Sequence, residues 1–274
     1  RRQRQMCIRD SHMAASTLMQ GKNVLYITLE MAEERIAERI DANLMNVTID
    51  DLHTLPKKMF ENYLTKIQKK TNGKLIVKEY PTASAHVGNF RSLIKELALK
   101  RSFKPDIIFI DYLNICASSR FRGNANVGSY FYIKAIAEEL RGLAVETNVP
   151  IMSATQTTRS GFVSSDIGLE DTSESFGLPA TADLMFALIS TEELEDLNQI
   201  CIKQLKNRYN DPTINKRFIL GIDRAKMRLY DVEQHAQKDI VDSGQEKDEV
   251  VFDNTPFAGK TSKYEKFSDI KVSS

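Results

Sequence analysis

Apolar residues along the chain follow two rhythms. Five short runs are nearly continuous: residues 23 to 29 (Asn-Val-Leu-Tyr-Ile-Thr-Leu), 75 to 77 (Leu-Ile-Val), 106 to 110 (Asp-Ile-Ile-Phe-Ile), 149 to 154 (Val-Pro-Ile-Met-Ser-Ala) and 183 to 189 (Asp-Leu-Met-Phe-Ala-Leu-Ile). Short runs with few alternating polar positions predict strands buried on both faces, as in a parallel sheet. Between them apolar residues recur at helical spacing over 32 to 45, 56 to 70, 87 to 100 and 130 to 147. That order predicts an α/β domain, a mostly parallel sheet with helices on both faces. Runs at 199 to 206, 217 to 223 and 226 to 231 have short connections, which predicts antiparallel strands at the C-terminal edge.

Composition narrows the class. With 274 residues, 42% hydrophobic and 27% charged, the chain can bury one sizeable core or two small ones. No apolar run reaches the roughly 18 to 20 residues of a membrane-spanning helix. Cys7, Cys116 and Cys201 are distant and odd in number, so neither a disulfide framework nor a zinc cluster is expected, and a reducing cytoplasm is the natural setting. The formal net charge is +1, but it mixes three segments. Residues 1 to 13, RRQRQMCIRDSHM, carry four Arg and one Asp; they are expected to be a vector-derived or otherwise non-native leader outside the fold, the alternative being a basic arm. From 233 to 274 there are nine acids and six Lys with little apolar periodicity, expected to form a disordered acidic tail. The intervening 14 to 232 hold 28 Lys and Arg against 27 Asp and Glu. An anionic partner must therefore be held by local geometry.

In open α/β sheets ligands sit outside the carboxyl ends of the strands. Asp111, after Ile107-Ile108-Phe109-Ile110, matches the Walker B pattern, whose carboxylate holds nucleotide-bound Mg²⁺ through water; a strand-terminal turn uses the same residue type. Glu30 is a second tip carboxylate, suited to accept a proton from a water attacking the γ-phosphate of ATP, or simply to favour a following helix N-terminus. Gln156 is an uncharged donor and acceptor at a third tip, able to register a γ-phosphate or to bond backbone. Lys206 and Arg208 are spaced by two, on one side of an extended segment, so both could reach one phosphate chain. A P-loop, G-x-x-x-x-G-K-[ST], is missing. Gly21-Lys22-Asn23 lacks the hydroxyl and has Ser16 at the first glycine; Gly259-Lys260-Thr261 has Asn254 there. Residues 14 to 20 read as the C-terminal part of the helix after such a loop, so the chain is expected to begin just downstream of it.

These residues resemble the DnaB-type hexameric replicative DNA helicases with a RecA-like motor domain, most closely the T-even phage branch. The resemblance covers about 14 to 231. It is carried by Asn-Val-Leu-Tyr-Ile-Thr-Leu-Glu-Met-Ala-Glu-Glu at 23 to 34, Ile-Asp-Tyr-Leu at 110 to 113, Lys-Ala-Ile-Ala-Glu-Glu-Leu-Arg at 134 to 141, Leu-Ala-Val-Glu-Thr at 143 to 147 and Gly-Leu-Pro-Ala-Thr-Ala-Asp at 177 to 183. It implies a RecA-like P-loop NTPase core using ATP and Mg²⁺, with Glu30 as catalytic base, Asp111 as water-mediated Mg²⁺ ligand and Gln156 as γ-phosphate sensor. Lys206 and Arg208 would reach the neighbouring subunit's ATP, Arg208 as an arginine finger. It further implies a hexameric ring on single-stranded DNA, 5′-to-3′ movement, primase and loader partners, and a cytoplasmic setting, the host's if the gene is phage-borne.

A ring also accommodates the neutral charge, since six copies of a few loop cations make a channel surface. The DNA-contacting candidates are Arg120 and Arg122 in the loop after 111, and Arg159 in the loop after 156, the alternative being plain solvated loops; the resemblance implies that the segment from Glu174-Ser175 lies near the channel. Two alternatives stand beside the helicase: a RecA-type recombinase ATPase, and a non-catalytic RecA-fold binding module that lacks the P-loop.

Overall fold

Burial on both faces accounts for the first strands. In the computed structural model, which describes residues 2–121, 127–157, 167–171, 177–211 and 216–232, β1 (Val24–Thr28) lies between β2 (Leu75–Glu79) and β3 (Ile107–Asp111), and β4 (Ile151–Ser153) pairs with β3. All pairings in this sheet are parallel. Leu25, Ile27, Ile108 and Ile110 point into one core layer, with Phe90, Leu93 and Leu97 of α5 (Val87–Arg101) and Ile133, Ile136, Leu140 and Leu143 of α6 (Ser129–Thr147). Val24, Tyr26 and Phe109 point into the other, against α1 (Arg2–Met19) and α2 (Glu33–Met45). Tyr26 and Phe109 stack with ring centroids 5.7 Å apart.

Between α2 and β2 the chain forms α3 (Ile49–Thr54) and α4 (Lys57–Lys70). Thr48 caps α3 by accepting from Asp51 N; α3 was not predicted, being only six residues long. The second sheet has the order β5-β6-β7-β8: β5 (Leu184–Ile189), β6 (Gln199–Asn207), β7 (Arg217–Asp223) and β8 (Arg228–Asp231), all antiparallel. The short helices α7 (Gly177–Thr181) and α8 (Glu192–Asp196) flank β5. The predicted α/β class with C-terminal antiparallel strands is what the chain adopts. β5 differs from the prediction for its segment: it is an edge strand, with Leu184 and Phe186 at 48% and 42% exposure.

The helix α1 crosses the boundary placed at residue 14. It runs unbroken from Arg2, and Cys7, Ile8, Asp10 and Ser11 are buried. Ile8 joins Ile200, Ile202, Ile222, Met227 and Leu229 in a core under the second sheet. The buried positions 7, 8, 11, 14, 15 and 18 have helical spacing, but Ser11 and the alanines conceal it in a hydropathy reading. Residues 233 to 274, the expected tail, lie outside the described residues.

One helical carboxylate carries a stability penalty. Burial, then the charge of Glu38, pushes Asp41 on α2 up from 3.8 to about 6. A carboxyl whose folded pKa lies above its unfolded value takes up a proton on folding, so stability falls as pH rises through that interval and stays lower above it. Asp41→Asn is expected to raise the thermal midpoint by about 2 to 4 °C at pH 8, and to leave it nearly unchanged at pH 4, in calorimetric scans.

Candidate functional site

Parallel register brings three polar tips to one edge of the first sheet. Thr28 pairs with Asp111, and Leu29 N donates to Asp111 O at 3.0 Å. Glu30, one residue further, is exposed where β1 gives way to α2, with Met31 N bonded to Thr28 Oγ1 at 3.0 Å. Asp111 is 2% exposed. Burial pushes its carboxyl up to about 6, the charges of Asp10 and Glu30 add to this, and Arg39 and Arg9 oppose it. On the other side, Ser153 Oγ donates to Ile110 O at 2.7 Å and Leu113 N to Ala154 O at 3.3 Å. Gln156 follows, and its Nε2 donates to Tyr112 Oη at 3.2 Å. Tyr112, joined to Asp111 by a cis peptide bond, links the tips: burial and then the charges of Glu30 and Asp111 push its phenol up. Sequence reasoning missed Tyr112, although it sits inside the Ile-Asp-Tyr-Leu phrase.

Against Asp111 stand residues of α1 that the sequence reading set aside. Cys7 Sγ lies 4.0 Å from Asp111 Oδ2, and burial followed by the Asp111 charge pushes the thiol up to about 11, leaving it neutral near pH 7. Asp10, also buried, is paired with Arg9. The carboxylate side of this edge suits a hydrated divalent cation. Among the described residues no three His, Cys, Asp or Glu converge on a metal position, and a single strand-end carboxylate beside a neutral thiol fits contact through a water shell better than an all-protein cage. The phosphate side does not fit: no G-x-x-x-x-G-K-[ST] cradle occurs in the 274 residues, and Gln5 and Met6 precede Cys7.

Lys206 and Arg208 lie on a different sheet, at the end of β6, and both turn back onto their own chain. Lys206 Nζ donates to Pro179 O at 2.5 Å and Ala180 O at 3.1 Å. Arg208 pairs with Asp183 at 2.8 Å and donates to Ala180 O at 3.2 Å. Arg141 shares Asp183 at 2.8 Å and bonds Thr181 O at 2.8 Å. Burial and then the Arg208 charge lower the Lys206 ammonium, opposed by Asp183. The end of α7 and the two residues after it, 179–183, thus gather three cations on carbonyl and carboxylate oxygens.

Of the three loop arginines, Arg120 is described and Arg122 and Arg159 lie outside the described residues, as do Glu174 and Ser175. Arg120 is exposed and pairs with Glu138. Among the described residues no helix is long and apolar enough to cross a membrane.

Comparison with known proteins places this geometry in a family. The profile of the DnaB-like helicase C-terminal domain matches residues 7–217. The chain is 46% identical over 226 residues to the DnaB-like replicative helicase of Enterobacteria phage T4, covering 81% of this chain and 47% of that protein. It is 27% identical over 181 residues to the replicative DNA helicase DnaB of Helicobacter pylori, covering 65% and 36%. It spans about half the length or less of these curated relatives. Among solved structures, an isolated ATPase domain superposes with a TM-score of 0.66 at 20% identity, over 83% of this chain and 80% of that one. A DnaB-like replicative helicase studied with primase superposes with a TM-score of 0.66 at 19% identity, over 82% and 54%. These matches support the RecA-like fold and do not favour the recombinase or the non-catalytic module.

Proposed function

The chain belongs to the DnaB-like helicase C-terminal domain family, and on that premise we propose that it is most of the motor domain of a replicative DNA helicase, which with a complete phosphate cradle hydrolyses ATP at the interfaces of a hexameric ring that moves on single-stranded DNA. Without that cradle, this chain is expected to bind nucleotide poorly and to be inactive alone. Support comes above all from the three polar tips, Glu30, Asp111 and Gln156, side by side at the carboxyl edge of a parallel sheet. Asp111 would hold Mg²⁺ through its water shell; when bound, the ion neutralises charge on the transferring phosphate. Glu30, exposed to solvent beside it, accepts the proton of the attacking water. Gln156 exchanges its bond to Tyr112 for one to the γ-phosphate, and so passes the state of the site into the segment after it, where Arg159 lies. Lys206 and Arg208 serve the neighbouring subunit's nucleotide. Arg120, Arg122 and Arg159, six copies of each, contact the DNA backbone. Primase and a loader are the partners this reading expects, in the cytoplasm, the host's if the gene is phage-borne.

Cys7 marks the register of the phosphate cradle. In P-loop enzymes a Ser or Thr hydroxyl joins the strand-end Asp in holding the ion, and Cys7 has that relation to Asp111. Met6 then stands at the lysine position and Gln5 at the second glycine. A restored chain with Gln5→Gly, Met6→Lys, Cys7→Ser and one Gly added ahead of Arg1 completes the motif in this register. It is expected to bind ATP and hydrolyse it with stimulation by single-stranded DNA. Glu30→Gln in that background is expected to lose about 10² to 10⁴ in turnover while still binding nucleotide. No nucleotide binding by the restored chain, or full turnover in Glu30→Gln, rejects the reading.

A further inference from the structure

Glu139 is a carboxylate at a nearly buried position, 9% exposed, on the core-facing side of α6. A charge there is costly unless it is fully bonded, and helix α6 makes no use of it. The bonds go to the loop after β3. Ser118 Oγ donates to Glu139 at 2.7 Å, Ser119 N donates to both its oxygens at 3.1 and 2.9 Å, and Arg120 N donates at 3.3 Å. Burial pushes the carboxyl up, but the bonds from Ser118, Ser119 and Arg120 outweigh it and hold it below the usual carboxylate range. Ser118 N also donates to Tyr132 Oη at 3.1 Å, again on α6. Three consecutive residues are therefore stapled to the helix immediately before Arg120 projects into solvent.

Its neighbour Glu138 does something different. It faces solvent, where it pairs with the Arg120 guanidinium and lies 3.9 Å from Lys134 Nζ. With Arg120 52% and Glu138 36% exposed, that pair is weak and screened, so a phosphate oxygen can replace the carboxylate at little cost.

Building on the reading of this loop as a DNA contact, we propose that Glu139 is a positioning residue that fixes the loop backbone for phosphate binding, while Glu138 competes with DNA for Arg120. The two acids are adjacent in sequence and opposite in effect. Removing one negative charge from either would, through space alone, tighten DNA binding equally; the geometry separates them. In titrations of the full chain with fluorescein-labelled oligo(dT) at low salt, Glu138→Gln is expected to bind about two- to fivefold tighter. Glu139→Gln is expected to bind about fivefold weaker, because its single remaining carbonyl oxygen accepts without the charge and its amide NH2, a donor, replaces one of the two oxygens that accept from Ser119 N. Ser118→Ala, which removes one bond to Glu139 and no charge, weakens binding in the same direction and guards against a folding defect in the Gln variant. Amide exchange at Ser119 and Arg120 accelerates in Glu139→Gln and stays unchanged in Glu138→Gln. Tighter binding by both acid variants, or unchanged binding by Glu139→Gln and Ser118→Ala, overturns the proposal alone. Absent binding by the unmodified chain, or Arg120→Ala binding as well as the unmodified chain, overturns the loop's assignment to DNA and the proposal with it.

Discussion

Arg208→Ala in the restored chain is expected to lower ATP turnover by about 10³ to 10⁵ while leaving ATP affinity little changed. A finger acts on charge that develops in the transition state, so its loss falls on turnover rather than on ground-state binding. The side chain rests in cis, paired with Asp183 and bonded to Ala180 O. That pair is partly exposed, 39% for Arg208 and 32% for Asp183, and such pairs contribute about 0 to 1 kcal/mol. Release toward a neighbour is therefore cheap. Arg208→Lys restores little, since an ammonium cannot reproduce the planar fork. Mixing the two inactive variants decides whether the residue works across the interface. An Arg208→Ala subunit keeps its own Glu30, and a Glu30→Gln subunit donates an intact Arg208, so a random mixture makes about a quarter of interfaces complete. Recovered hydrolysis on mixing supports action in trans. No recovery, or full turnover in Arg208→Ala alone, defeats the assignment.

Gly73→Ala is expected to cost about 3 kcal/mol of stability, a fall of roughly 6 to 12 °C in thermal midpoint. A Cβ there would lie 2.5 Å from Lys22 O and 2.8 Å from Leu18 O, both backbone atoms. Neither can swing aside as a side-chain tip would. The neighbourhood is also tightly bonded: Thr71 Oγ1 donates to Leu18 O, Gly73 N to Thr71 Oγ1 at 2.9 Å, and Lys74 N to Asn23 Oδ1 at 3.1 Å. Any shift transmits into the start of β2 and its pairing with β1. This is the amino edge of the sheet, away from Glu30 and Asp111, so the loss appears in melting and not in the chemistry of the site. Gly142→Ala is the matching control. It lies within α6 with nothing inside 4 Å of its added Cβ, and is expected to stabilise by about 0.5 to 1 kcal/mol. Equal melting of the two variants would contradict the packing account.

Several parts of the fold were legible because side-chain pattern is local. The runs ending at Thr28 and Asp111 read as strands buried on both faces, and the two faces of β1 do enter separate cores. The tips Glu30, Asp111 and Gln156 follow from where each run stops. The first turns of α1 were not legible, because their inward positions include Asp10 and Ser11, whose burial no hydropathy window reveals. Glu139 was hidden differently: beside Glu138 it reads as one of two ordinary helix acids, and only the return of residues 118–120 onto α6 distinguishes them.

The sequence by itself determined the α/β class, the strand tips and the spacing of Lys206 and Arg208, since these depend on periodicity within single segments. Only the tertiary structure decided which tips meet. β1 pairs with β3 rather than with β2 alone, which sets Glu30 beside Asp111. The end of α7 with Asp183 gathers Arg208, Lys206 and Arg141. Strand order and the return of distant loops arise from packing free energy summed over the whole chain, and no single segment carries that sum.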